Sequence, residues 1–176
     1  MKTNQQRTIE DGIATLVWAA GTNSRDHGFH EDWPVEGYPT VTKTGEPGHG
    51  VTPDQVADYQ RQLGLAVTEK LALIHEEVSE ALGEIRDGHA PTETYYTRTT
   101  KGSTGEVVTR FSEQKWDTDG VGTIPMRKPE GFGIELADAM IRIADLAYLT
   151  GIDLGARVIE KAAYNATRPH KHGRKF

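Results

Sequence analysis

The chain contains no cysteine, which excludes disulfide staples, thiolate zinc sites and thiol nucleophiles and leaves any metal to oxygen or imidazole ligands. It also lacks an apolar run near the roughly 20 residues that span a bilayer. Met1 to Glu10 is polar where a signal peptide needs an apolar core. The expectation is a soluble, cytoplasmic protein that engages no membrane. Apolar residues are scarce, at 36% of 176 residues that include 19 glycines and 8 prolines. So thin a composition suits one domain, 1–176, with polar loops or a core completed by a partner chain. Excess positive charge is missing too. The formal net charge is −6, which argues against a general nucleic-acid binder. That figure hides a split. Arg168, Lys171, Arg174 and Lys175 make a basic tail over 168–176 without a single acid, so the preceding residues hold 16 bases against 26 acids.

What is present is helical periodicity. Residues 8–20 carry Ile9, Ile13, Leu16 and Val17 at helical spacing. Prolines and glycines then break every pattern across 29–53, which reads as loop. Thr52-Pro53-Asp54 can cap a long helix whose strongest part, 67–86, places Val67, Leu71, Ile74, Val78, Leu82 and Ile85 in one apolar stripe that ends at Asp87-Gly88. The segment 89–130 is an insertion of different character. Its two Thr-, Tyr- and Val-rich runs within 93–112, separated by Lys101-Gly-Ser-Thr-Gly, predict a β-hairpin or flap. Residues 134–150 and 154–167 read as two further helices joined by Gly151-Ile152-Asp153 and ended by Pro169. The sum is an all-α fold, an antiparallel helical bundle with one hairpin inserted between its acidic segments.

Those acidic segments carry the chemistry. At about 100° per residue, Glu77, Glu80 and Glu84 fall together on one side of the central helix, with Glu76 beside them. Glu77 and Glu80, three apart, can share a cation. An acidic stripe on one helix is ordinarily just a solvated face. The helix from Ile134 changes the weighing, because its apolar residues cover more than half its surface and predict burial on most sides, yet Glu135, Asp138, Arg142 and Asp145 form one narrow polar strip. Buried carboxylates need a partner or a cation. Arg142 cannot balance all of them. Two helices that each present acids three apart make an all-oxygen cage, which favours Mg²⁺, or Mn²⁺, over Zn²⁺. A di-iron bundle needs Glu-x-x-His on its helices, and here the only such spacing, Glu46 to His49, lies in the loop.

Mg²⁺ held by few carboxylates completes its shell with water and phosphate oxygens, so a phosphorylated ligand is expected. Lys161, Asn165 and Arg168 share a face of the last helix that continues into Lys171. They can bind phosphate oxygens and a base or sugar. The alternative is a frayed C-terminus that balances the helix dipole. The isolated histidines and Lys101-Gly-Ser-Thr-Gly carry no comparable pattern, the latter lacking the ending and setting of a phosphate loop. Trp18 and Trp116 are expected in a core before a stacking site.

Glu76-Glu77-x-x-Glu80 followed by Glu135-x-x-Asp138 resembles the paired acidic motifs of the MazG-like, all-α nucleoside triphosphate pyrophosphohydrolases. The similarity extends over KLALIHEEVSEALGEIRDG (70–88), EGFGIELADAMIRIADLAYLTGIDL (130–154), EKAAYNATRPHKHGRKF (160–176) and NSRDHGFHEDW (23–33), which look like parts of the small MazG-like proteins carried by bacteriophages and bacteria. The resemblance implies Mg²⁺-dependent hydrolysis of a nucleoside or deoxynucleoside triphosphate to the monophosphate and pyrophosphate. It implies metal ligation by Glu77, Glu80, Glu135 and Asp138, and assistance from Glu76 as an outer ligand or base, with Glu76 and Glu77 at the catalytic step. Lys161, Asn165 and Arg168 would contact the nucleotide, with Lys171 beside them. Family members are homodimers or homotetramers with sites between chains. The long span from Ala81 to Ile134 departs from the family pattern and bears on the pocket mouth and substrate choice. The rival expectation is a catalytically silent nucleotide-binding or oligomerisation module that uses the hairpin to contact a partner protein.

Overall fold

The structure, a computed structural model, describes residues 2–34, 51–103, 105–113 and 127–169. Its elements run α1 (Asn4–Asp26), α2 (Pro53–Arg86), β1 (Tyr95–Gly102), β2 (Gly105–Phe111), β3 (Lys128–Glu130), α3 (Phe132–Thr150) and α4 (Leu154–Ala166). The chain forms two compact units, Met1–Leu71 with Ile141–Phe176, and Ala72–Met140. The division falls within α2 and α3, and each unit is taken in turn.

Helix starts are set by local chemistry. Thr3 and Gln6 exchange side-chain and backbone hydrogen bonds at the head of α1. Thr52 and Gln55 do the same at α2, with the Thr52 N–H donating to Gln55 Oε1 at 2.9 Å and the Gln55 N–H to Thr52 Oγ1 at 3.3 Å. Each pair satisfies amides that the first helical turn cannot. Asp153 caps α4 by accepting from the Ala156 N–H at 2.9 Å.

In the first unit α4 packs against α1, and α1 meets α3 where Gly21 lies under the ring of Tyr148. A Cβ at Gly21 would stand 2.0 Å from Tyr148 Cγ. The absent side chain is therefore what lets the ring lie on the helix. Below it the His30 ring stacks on Tyr148 at 6.0 Å between centroids. Trp18, expected in a core, is largely exposed on α1, and Trp116 lies outside the described residues.

In the second unit the inserted segment forms a hairpin, and here the all-α expectation is wrong. β3 joins β1 to make a three-stranded antiparallel sheet in the order β2-β1-β3, so the fold mixes helices with a sheet. The physical reason is that two strands alone bury too little, while β3 adds a second neighbour to β1 through Tyr95↔Glu130, Tyr96↔Pro129 and Thr97↔Lys128. Pro129 hides this strand from sequence reading, since proline ordinarily argues against one and is tolerated only at an edge. The sheet is fixed to the end of α2 by the Tyr95 hydroxyl, which donates to Glu84 Oε1 at 2.9 Å. Burial and the adjoining Glu84 carboxylate push the Tyr95 phenol up to about 12, so it remains a donor at neutral pH. Gly131 then turns the chain from β3 into α3 with φ 119°, and a Cβ there would lie 2.5 Å from the Glu93 carbonyl oxygen. Glycine alone meets both demands.

The buried apolar residues described are Ala20, Ala81, Ala139, Ala144 and Ala147, with no large side chain fully enclosed. The expectation that α3 is buried on most sides therefore fails for the single chain. Leu136, Met140 and Ile143 on α3 are exposed, as are Leu71, Val78, Leu82 and Ile85 on α2. Among the described residues no helix is long and apolar enough to cross a membrane.

The Gly21–Tyr148 contact gives a direct test. Gly21→Ala must displace the ring, and overpacking of this kind costs about 1–3 kcal/mol. Urea unfolding should show that loss, whereas Gly12→Ala, at a helical position with open space around it, should hold or raise stability. Equal effects at the two sites would contradict the packing.

Candidate metal centre

Three acids converge within the second unit. One carboxylate oxygen each from Glu77 on α2 and Glu135 and Asp138 on α3 lie within 4.8 Å of one another. Glu77 and Glu135 are buried, at 5% and 3% exposure, and Asp138 is half-buried. Their placement follows from helix geometry. Glu135 and Asp138 are three apart, so both point from one face of α3, and Gly131 anchors that helix by accepting from the Ile134 and Glu135 amides at 2.8 and 3.2 Å. On α2 the neighbouring Ala81 is buried, so the same face that carries Glu77 is turned inward.

Crowding shows in the protonation of Glu135. Burial raises its carboxyl from an ordinary 4.5 to about 7, and the charge on Glu80 adds to the rise. Lys128 pulls the other way, while a hydrogen bond to Glu80 and the Asp138 charge push up again. A carboxylic acid that can donate to Glu80 is favoured over two adjacent anions. Glu80 is thus brought to the cluster through Glu135, outside the set of three oxygens. Glu76 is exposed on α2 and does not belong to that set.

Lys128 went unnoticed in the sequence. Its ammonium bonds Glu130 Oε2 at 2.8 Å and is raised from its usual value first by that bond and also by the charges of Glu130, Glu135 and Glu80, against the effect of burial. It offers a cation beside the acids, carried there by the strand that periodicity could not reveal. The only sequence signal was a basic residue a few positions before the second acidic motif.

The donor set suits a hard divalent cation. Opposite oxygens around Mg²⁺ at about 2.1 Å stand roughly 4.2 Å apart, so oxygens within 4.8 Å need little adjustment. Three carboxylates with no sulfur or imidazole favour Mg²⁺ or Mn²⁺. A cation there would offset the burial and the neighbouring charge that together keep Glu135 protonated.

Other members of the polar strip behave differently. Asp145, in the first unit, accepts from Lys70 Nζ at 3.3 Å and lies 2.7 Å from His30 Nε2. Its charge is answered by protein groups, and His30, which sequence reasoning discounted, is part of that answer. Lys161 and Asn165 are exposed on α4, where with Arg157, Val158 and Ala162 they line a shallow open cleft. Lys161 Nζ lies 5.0 Å from the Tyr164 ring centroid, and exposed Arg168 follows the helix with its amide donating to the Asn165 carbonyl at 3.1 Å. Lys171 lies outside the described residues.

No family model, curated protein or solved structure matches the chain.

The state of Glu135 has a measurable sign. Between its ordinary 4.5 and about 7, the folded chain holds a proton that the unfolded chain releases, so without divalent cations stability falls as pH rises through that window. Glu135→Gln, which keeps a neutral donor in place, should flatten this decline in urea midpoints compared at about pH 5 and about pH 8. Mg²⁺ should raise the wild-type midpoint more at the higher pH, because binding must displace that proton. A pH response unaltered by Glu135→Gln would refute the assignment.

Proposed function

We propose that the chain is a Mg²⁺-dependent nucleoside or deoxynucleoside triphosphate pyrophosphohydrolase of the MazG-like kind. The single observation that carries the reading is the convergence of Glu77, Glu135 and Asp138, from both acidic motifs, into one all-oxygen cluster with two buried members and one half-buried. Motif spacing alone could have produced two separate solvated faces. A cluster that holds a proton at about 7 is what a cation site with surplus acid is expected to do.

In this reading Glu77, Glu80, Glu135 and Asp138 hold Mg²⁺ or Mn²⁺. When bound, the cation supplies Lewis-acid polarisation of a phosphate and lowers the pKa of nearby water. Water adds to the α-phosphorus while the bond to the bridging oxygen breaks, giving the nucleoside monophosphate and pyrophosphate. Glu77 or Glu76 accepts the proton that the water loses. Lys161, Asn165, Arg168 and Lys171 bind phosphate and nucleotide, with the basic groups opposing transition-state charge. Lys128 is available for the same task beside the acids. A cytoplasmic location suits a nucleotide substrate. The exposed apolar stripes of α2 and α3 favour a homodimer or homotetramer, because patches this continuous ordinarily meet a partner.

The test is incubation with Mg²⁺ and a panel of ribo- and deoxynucleoside triphosphates, with identification of the released phosphate. Pyrophosphate and monophosphate should appear in equal amounts. Glu80→Gln and Asp138→Asn should each lower turnover by on the order of 100-fold while the circular dichroism spectrum stays unchanged. Arg168→Ala should raise KM or lower turnover through phosphate contacts. Absence of pyrophosphate from every substrate at saturating metal would defeat the catalytic reading.

A further inference from the structure

The sheet has two edges of opposite character. Gly102 and Gly105 are direct partners separated by two residues, so they must exchange both backbone hydrogen bonds. The alternation of antiparallel ladders then fixes every other pair. Val107, Thr109 and Phe111 bond to β1, and the N–H and C=O groups of Glu106, Val108 and Arg110 point outward from β2. The same alternation along β1 makes Tyr96↔Pro129 a non-bonded pair, so the proline's missing N–H falls on the outer side of β3. That edge is blunted. The edge of β2 has no proline, lysine or break in register from Phe111 to Gly105, and Val107 and Val108 are 49% and 64% exposed on its two faces. Among the described residues no strand pairs with it.

We infer that the outer edge of β2 pairs antiparallel with the same edge of a second copy of this chain, joining the two sheets about a two-fold axis at Val108. The sequence is self-complementary in that register. Val108 meets Val108 of the second copy, Val107 meets Thr109, and Glu106 meets Arg110 twice over. All three outward-pointing residues then form bonded pairs, giving roughly six main-chain hydrogen bonds. Moving the axis by two residues puts Glu106 opposite Glu106 or Arg110 opposite Arg110, and facing like charges oppose a sheet. The Arg110 guanidinium bonds Glu93 Oε1 through Nη2 at 2.6 Å and lies over the Tyr95 ring at 3.6 Å, yet its side chain is 46% exposed and can meet Glu106 of the second copy with its outer face. This pairing is independent of the proposed hydrolase activity and of any contact made by the helices.

The absence of cysteine makes a clean probe. In the full chain, Val108→Cys brings two thiols onto the axis with Cα atoms about 5.5 Å apart, within disulfide range. Val107→Cys, one residue along the same exposed strand, leaves its two copies about 8 Å apart on the diagonal, beyond that range. Under mild oxidation the Val108→Cys variant should form covalent dimer at least about 10-fold faster than the Val107→Cys variant. An equal mixture of Val107→Cys and Thr109→Cys should cross-link as a heterodimer. Adding Glu106→Arg to Val108→Cys should slow its cross-linking. Equal rates for Val107→Cys and Val108→Cys, or no covalent dimer from either, would overturn the pairing.

Discussion

The mutual repulsion of carboxylates in one small buried volume is the constraint around which the second unit is arranged. Burying a single anion is costly, and placing Glu77, Glu135 and Asp138 with oxygens within 4.8 Å multiplies the cost. The fold answers in part by keeping a proton on Glu135 and by hydrogen-bonding that acid to Glu80. It also sets the Lys128 ammonium, bonded to Glu130, where its charge acts on Glu135. The second answer depends on parts outside the two acidic helices. Lys128 arrives on β3, β3 is held by β1, and β1 is held to α2 through Tyr95 and Glu84. The turn at Gly131, with no room for a side chain beside Glu93, then aims α3.

The apolar side of the ledger points outward. Alanines supply the enclosed core of the described residues while leucine, valine, isoleucine and methionine stripes on α2 and α3 face solvent. Small side chains allow close helix approach but contribute little apolar area each. Larger residues placed at helical spacing on an open face would add that area only when another surface covers them. The low apolar fraction of the sequence and the thin core are therefore one fact seen twice.

Much of the helical layout was legible because its signals are local. The Thr52-Pro53-Asp54 cap, the Asp87-Gly88 stop and the three-residue spacing of the acids each act within a turn or two of helix, and periodicity reads at that range. The cluster was legible for the same reason, up to the point of stating that two faces meet. What stayed hidden involves partners distant in sequence. β3 is three residues with a central proline, and only its pairing to Tyr95, Tyr96 and Thr97 makes it a strand. Lys128 gains meaning only through that pairing. The apolar surround of α3 read as burial because hydrophobicity reports what can be covered, without naming which chain covers it.

The acids of α3 separate structural from chemical carboxylates more sharply than spacing can. Asp145 belongs to the same polar strip as Glu135 and Asp138, and by periodicity the three are equivalent. Yet Asp145 is answered by Lys70 and His30, at 3.3 and 2.7 Å, and has no need of an external cation. At Glu135 the opposing pull of Lys128 does not cancel burial and the adjoining acids, and the carboxyl stays protonated up to about 7. A balanced acid stabilises folding and would gain little from a metal. A carboxyl that must surrender a proton before it can carry charge is stabilised by whatever cation replaces that proton. Glu135, held protonated by burial and neighbouring charge, and Asp145, held by Lys70 and His30, are thus told apart by their surroundings and not by their spacing.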